Sequence, residues 1–160
     1  MPVLPGRAKG SRYFGDTSWH RDSTHGITSV GCVAYLEPAA PDTGALRVIP
    51  GSHNRPNADL PTDCTGRAVP TDPGDVVVFD ERLIHGSRGG SLRHQWRVDF
   101  VVDPLDDREL VAARYWYEES LPTSEPEAGY DPDLYPSWGT FWQSRERPWS
   151  PSLRRLGLIP

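Results

Sequence analysis

Histidine, aspartate and arginine occur in this chain at spacings that suit metal and carboxylate chemistry. In Trp19-His20-Arg21-Asp22 an imidazole and a carboxylate are separated by one residue. On an extended strand residues i and i+2 share a face, so His20 and Asp22 can reach one ion while Arg21 points away. A third ligand must come from a distant segment, and His85, following the apolar run Val76-Val77-Val78-Phe79, is the best candidate. Two neutral imidazoles and one carboxylate on one face of an ion leave open positions opposite, an arrangement suited to non-haem iron(II) with a co-substrate and oxygen. Zinc with a bound water is the chemical rival. Arg97 favours iron, because a guanidinium fork beside a metal can pair bidentately with the far carboxylate of a chelating oxoacid. Arg93 lies on the same strand parity and is the alternative for that role.

The remaining polar residues near these motifs have plainer readings. Asp99 shares a face with Arg97, so an Arg97–Asp99 ion pair and a substrate contact by Asp99 both stay open. His25 and His94 are read as ordinary hydrogen-bonded or surface histidines, and His53 as a turn residue in Pro50-Gly51-Ser52-His53.

Strands must carry most of these residues. Ile27 to Leu36 is apolar and β-branched on both parities, which predicts a strand buried on both faces. Ala45 to Ile49, Val76 to Phe79 and Trp96 to Val102 are further strands, with another around Ser11 to Phe14. Asp72-Pro73-Gly74-Asp75 is a tight turn, and residues 52–67, with Pro56 and Pro61, form a loop. Asp106 to Tyr117 fits a helix; beyond Ser120 the chain is rich in Pro, Trp and Tyr without periodicity.

Composition agrees with a strand-and-turn protein. With 160 residues, 15 of them Gly and 17 Pro, the chain suits short strands joined by turns rather than long helices. A chain of this length buries roughly 70% of its unfolded surface around a single core. The formal charge of −5 gives no footprint for nucleic acid. No apolar run reaches membrane-span length and the start lacks a signal-peptide h-region, so a cytoplasmic location is expected. Cys32 and Cys64 are too few for a disulfide framework or a cysteine-based zinc site, and Cys32 reads as a small core residue.

In four ordered stretches the chain resembles the phytanoyl-CoA dioxygenase family of iron(II)/2-oxoglutarate oxygenases. They are Trp19-His20-Arg21-Asp22, Gly44 to His53, Gly74 to Ser87, and Arg97. The resemblance, covering about residues 13–102, implies a mainly β, cupin-like double-stranded β-helix, or jelly roll. By position it implies iron(II) on His20, Asp22 and His85, with 2-oxoglutarate held by Arg97 and assisted by Ser87. No catalytic residue beyond the metal ligands is implied. An aspartate at position 22, where related halogenases carry a small residue, implies hydroxylation or a similar oxidation. Two departures stand out: only 19 residues precede His20, and Gly90 replaces a frequent asparagine.

The expected organisation is a core over 1–103 and an aromatic, Pro-rich extension over 104–160 that packs on it and offers a surface for homo-oligomer formation. The expected function is a dioxygenase using iron(II), 2-oxoglutarate and O2 to hydroxylate a small organic or natural-product-like substrate. The alternatives are a non-catalytic binding module of the same fold and a cupin-like metal hydrolase or isomerase.

Overall fold

A computed structural model describes residues 3–55, 59–62, 66–90, 92–120 and 146–160, and the side chains among them except those of 7–14, 92, 119 and 120. Among the described residues eight strands follow one another: β1 (Val3–Phe14), β2 (Thr17–His20), β3 (Ser29–Tyr35), β4 (Leu46–Val48), β5 (Arg67–Val69), β6 (Val76–Asp80), β7 (His85–Ser87) and β8 (Leu92–Val102). They form two four-stranded sheets, in the orders β1-β8-β3-β6 and β2-β7-β4-β5. Consecutive strands mostly alternate between the sheets. This interleaving is the double-stranded β-helix expected from the sequence.

Within residues 8–24 and 28–99, one compact unit, alternation sets the core. Along β3 the residues Ser29, Gly31, Val33 and Tyr35 are buried while those between are only half-buried. The expectation of burial on both faces is therefore corrected. Cys32 lies on the half-covered face, Val76 and Val78 of the edge strand β6 are exposed, and Leu36 beyond β3 is 60% exposed. Antiparallel pairing of β3 with β6 places Gly31 opposite Phe79 and Val33 opposite Val77 on the inner face. Tyr35, Ala39, Ala45, Leu46 and Phe79 complete the cluster with Val33. The predicted turn before β6 forms as read: Asp75 N donates to Asp72 O, Asp72 N donates to Asp75 Oδ2, and Gly74 takes a φ of 99°.

The second compact unit comprises Met1–Arg7, His25–Ile27 and Phe100–Pro160. Helix α1 (Asp107–Ser120) starts where Asp106 Oδ1 accepts from Glu109 N and Glu109 Oε2 accepts from Leu105 N, a reciprocal cap. A short helix α2 (Ser150–Leu156), unforeseen in the sequence, ends on Gly157 with a φ of 77°. Trp116, Tyr117, Leu153, Leu156, Val101 and Leu4 are among the residues of this unit's own core, and Trp149 packs half-buried against it. Trp138, Trp142 and Cys64 lie outside the described residues. No helix among the described residues is long and apolar enough to cross a membrane.

Candidate metal centre

The antiparallel ladder between β2 and β7 brings the first two ligand candidates together. Thr17 pairs with Ser87 and His20 pairs with His85, three steps along β2 against two along β7. The extra residue on β2 makes a bulge, the usual device for re-aiming a side chain at the rim of a barrel. Without that extra residue His20 would lie opposite Ile84. With it, the two imidazole centroids come within 4.2 Å. The strand carrying His85 is a separate three-residue element in the second sheet, and not the end of β6 as the continuous apolar run suggested. Glu81 to Ile84 form the link between them. Ser52 Oγ accepts from Ile84 N at 2.8 Å, so the Pro50-Gly51-Ser52-His53 turn helps to fix the backbone beside His85.

Asp22 reaches the site by another route. β2 ends at His20, so Asp22 lies in a loop and the shared strand face predicted for the pair is not what aligns them. Instead the N–H groups of Asp22 and Ser23 both donate to Glu81 O, at 3.0 and 3.2 Å. Arg21, pointing away, donates to the backbone carbonyls of Ser52 and Arg55.

His20, Asp22 and His85 each offer a ligand atom, all within 4.8 Å of one another. His20 Nε2 lies 3.3 Å from Asp22 Oδ1, and His85 Nε2 lies 3.1 Å from Asp22 Oδ2. The tautomers follow from the opposite edges of the rings. His20 Nδ1 donates to Ser18 O at 2.7 Å and His85 Nδ1 to Leu83 O at 2.9 Å. A carbonyl only accepts, so each Nδ1 carries the proton. In the neutral rings both Nε2 lone pairs then point at an anionic carboxylate. Three acceptors facing one another require a positive charge among them, supplied by a proton or by a cation. Backbone carbonyls that fix the Nδ1–H tautomer are also a common outer support of metal-binding histidines. The donor set therefore fits a divalent ion such as iron(II).

The electrostatics agree. Burial acts to raise the pKa of Asp22, but hydrogen bonds from His20 and His85, when these rings are protonated at Nε2 as well, and the charge of Arg97 outweigh it and hold the carboxyl far below its usual range. His20 is raised above the ordinary imidazole value, chiefly by its hydrogen bond to Asp22. Phe79 covers His85, with ring centroids 4.8 Å apart.

The two arginines of β8 are placed differently. Arg97 is enclosed by three carboxylates: Nη1 lies 2.8 Å from Asp22 Oδ2, Nη2 donates to Glu81 Oε1 at 2.7 Å, and Nε to Asp99 Oδ1 at 2.5 Å. Arg97, Glu81 and Asp99 are all buried. Burial disfavours the Arg97 charge, but Asp22, Asp99 and Glu81 outweigh that effect and hold the guanidinium protonated. The fork expected to receive an oxoacid thus already faces protein carboxylates. The Arg97–Asp99 ion pair, one of the two roles open for Asp99, is formed. Arg93 instead donates through Nη2 to Ser87 Oγ at 2.5 Å and to Thr17 Oγ1 at 2.9 Å, and through Nη1 to Gly15 O at 2.9 Å.

Sequence reasoning overlooked Glu81 and Thr17. Thr17 could have been found once β2 was recognised, because it shares the ladder with His20. Glu81 left no signal, since its grip on Asp22 is made by a backbone carbonyl in a turn. His25, His53 and His94 are not among the clustered ligand candidates. His94 pairs at the surface with Glu37.

Comparison with known proteins places this geometry in context. The sequence profile described as phytanoyl-CoA dioxygenase (PhyH) matches residues 6–94, more than half of the chain. The chain belongs to the PhyH family. PhyH enzymes use non-haem iron(II) and 2-oxoglutarate, and His20, Asp22 and His85 could hold the metal. The uncharacterized protein Rv1501 of Mycobacterium tuberculosis is 33% identical over 89 residues, which are 50% of this chain and 33% of that protein. Among solved structures, EvdMO1 is 28% identical with a TM-score of 0.54, over 63% of this chain and 27% of EvdMO1. HygX of Streptomyces hygroscopicus, crystallised with nickel and 2-oxoglutarate bound, has a TM-score of 0.50 at 17% identity, over 62% of this chain and 56% of HygX. The chain thus spans about a third of the length of the curated relatives it matches.

Proposed function

We propose that this PhyH chain carries the centre of an iron(II)/2-oxoglutarate-dependent oxygenase that hydroxylates a small organic, natural-product-like substrate. The observation that carries the reading is the convergence of His20 Nε2, His85 Nε2 and the Asp22 carboxylate, with both Nδ1 atoms tied to backbone carbonyls. Iron with 2-oxoglutarate would couple oxidative decarboxylation of the oxoacid to oxidation of a C–H bond. His20, Asp22 and His85 would be the ligands. The hydrogen bonds at Nδ1 would leave each Nε2 lone pair free for the ion, and Phe79 packs over the buried His85. The 2-oxoglutarate complex of HygX, a protein of the same fold, agrees with this cofactor pair.

For the far carboxylate of the oxoacid, the geometry supports Arg93 over Arg97. Ser87, to which the family resemblance assigns an assisting role at the oxoacid, is a hydrogen-bond partner of Arg93. Arg97 would first have to leave Glu81 and Asp99, and breaking such a buried network costs several kcal/mol, about 3–5 by precedent. Arg93 and Ser87, with Thr17 beside them, therefore form the proposed clamp. Substituting Arg93 by Gln should weaken 2-oxoglutarate binding by about tenfold or more, the scale of one or two hydrogen bonds to a charged group.

The test is succinate formation from 2-oxoglutarate with iron(II) and oxygen, run with a panel of small hydroxylatable substrates and without any. Succinate that depends on iron, and that disappears in His85→Ala, is expected. No succinate under any condition, from protein shown to bind both metal and oxoacid, would favour a non-catalytic binding module. Metal binding without oxoacid binding would favour a hydrolase or isomerase.

A further inference from the structure

Arg93 reaches Ser87 and Thr17 through a slot bordered by Gly44 and Gly90. A Cβ built on Gly90 would lie 2.2 Å from Arg93 Nη1, and one built on Gly44 would lie 3.1 Å from the same atom and 3.2 Å from Arg93 Cδ. Real Cβ atoms essentially never approach within 3.0 Å of a heavy atom. The guanidinium therefore occupies the volume that any side chain at position 90 would need. Gly90 is buried, as is Arg93. The backbone at Gly90 is not in the left-handed region, whereas Gly44 has a φ of 102°. Backbone conformation thus does not require glycine at position 90. The close approach of Arg93 is what favours it.

From this we infer that Gly90 is a positioning residue that sets the preference of the site for a dicarboxylic oxoacid. The inference rests on the Arg93–Ser87 clamp proposed above. By leaving the slot empty, Gly90 lets the guanidinium sit against Gly15 O, Thr17 and Ser87, in register with the far carboxylate. A methyl group at position 90 pushes against the tip of a flexible side chain, which yields easily, and its 3.2 Å approach to the backbone oxygen of Gly15 is relieved by a shift of a few tenths of an ångström, so the fold tolerates it. The fork, however, moves off Gly15 O and Ser87. Because hydrogen bonds weaken steeply when they are lengthened or bent, the loss falls on anion recognition. The metal ligands lie on other contacts and are untouched.

The experiment measures binding of 2-oxoglutarate and of pyruvate, which has no far carboxylate, to protein loaded with nickel(II) in place of iron. Gly90→Ala should weaken 2-oxoglutarate binding by about tenfold, the scale of one charge-assisted hydrogen bond. Its pyruvate and nickel affinities should stay within about twofold of wild type, a change too small to represent a lost hydrogen bond. In an Arg93→Gln background the side chain no longer reaches the slot, so adding Gly90→Ala should change nothing further. Equal weakening of pyruvate and 2-oxoglutarate by Gly90→Ala would overturn the inference in favour of a general loop defect. So would an undiminished 2-oxoglutarate affinity in Gly90→Ala where Arg93→Gln has lost it. If Arg93→Gln itself binds 2-oxoglutarate normally, the clamp reading fails first and the role of Gly90 falls with it. Should Gly90→Ala fail to fold, the double variant Gly90→Ala with Arg93→Gln decides between the two explanations. Recovery of the fold in that pair supports the steric contact, and failure again overturns it.

Discussion

Replacing Arg97 with glutamine tests what this residue is for. In the folded chain the residue is only 7% exposed and its guanidinium faces the carboxylates of Asp22, Glu81 and Asp99. Glutamine keeps some of the volume but removes the charge, leaving three carboxylates close together in a buried setting. Removing one partner of a buried ion pair typically costs about 3–5 kcal/mol, because the remaining charge stays desolvated and uncompensated. Here three carboxylates share the loss, so the upper half of that range is expected. For a chain of this size each kcal/mol moves the melting temperature by about 2–4 °C, which gives a drop of roughly 8–20 °C. Differential scanning calorimetry of metal-free Arg97→Gln against wild type reads this directly. Saturating nickel(II) should restore part of the loss, since the ion supplies positive charge beside Asp22. The double variant Arg97→Gln with Asp99→Asn should melt higher than Arg97→Gln alone, because one orphaned charge has been removed with its partner. A change below about 2 °C, less than one kcal/mol, together with lost 2-oxoglutarate binding would refute this reasoning and return Arg97 to the role of oxoacid clamp.

Two further outcomes follow from the same contacts. Asp22→Asn should lose most of the stabilisation that nickel(II) gives wild-type protein, which is about 2.7 kcal/mol at one hundred times the dissociation constant; an undiminished melting shift would remove Asp22 from the ligand set. Tyr117 is buried and donates to Pro5 O at 2.9 Å, and burial pushes its phenol well above the ordinary 10. Above pH 10 the unfolded chain ionises this phenol while the folded chain keeps the proton, so stability should hold up to about that pH and then fall as pH rises. Absorbance at 295 nm should show at least one tyrosine titrating only as the protein unfolds, and Tyr117→Phe should flatten the alkaline loss.

Strands were legible in the sequence wherever local chemistry alone decides them. The Asp72 to Asp75 turn and the apolar stretches of β3, β4 and β6 carry their own signals, and the helix over 107–120 carries its cap in Asp106 and Glu109. His20, Asp22 and His85, the candidate ligands, were singled out by their place in an ordered set of motifs, since histidine and aspartate at that spacing are common on their own, and the fold brings the three together. What escaped is decided by contacts distant in sequence. The continuous run from Val76 towards His85 hid a change of sheet, since β6 pairs with β3 whereas β7 pairs with β2 and β4. The apparent two-sided burial of β3 failed for a similar reason. Apolar residues on both parities of a strand show what it can bury, and only its neighbours decide what it does bury.

The choice between Arg93 and Arg97 shows most clearly why that gap exists. Both arginines have the same strand parity, so alternation sends both inward and cannot separate them. Separation comes from what each meets there. Glu81 enters from the turn between β6 and β7, and Asp99 comes from β8 itself; together with Asp22 they give Arg97 three anionic partners. Thr17 and Ser87 come from the paired ends of β2 and β7 and give Arg93 two hydroxyls on the ladder that carries His20 and His85. A single ladder thus carries His20 opposite His85 and, beyond a one-residue bulge, Thr17 opposite Ser87. Metal and oxoacid recognition would share one register, so sliding β2 by one residue against β7 would misplace both. The bulge is then as much a part of the site as the side chains it aims.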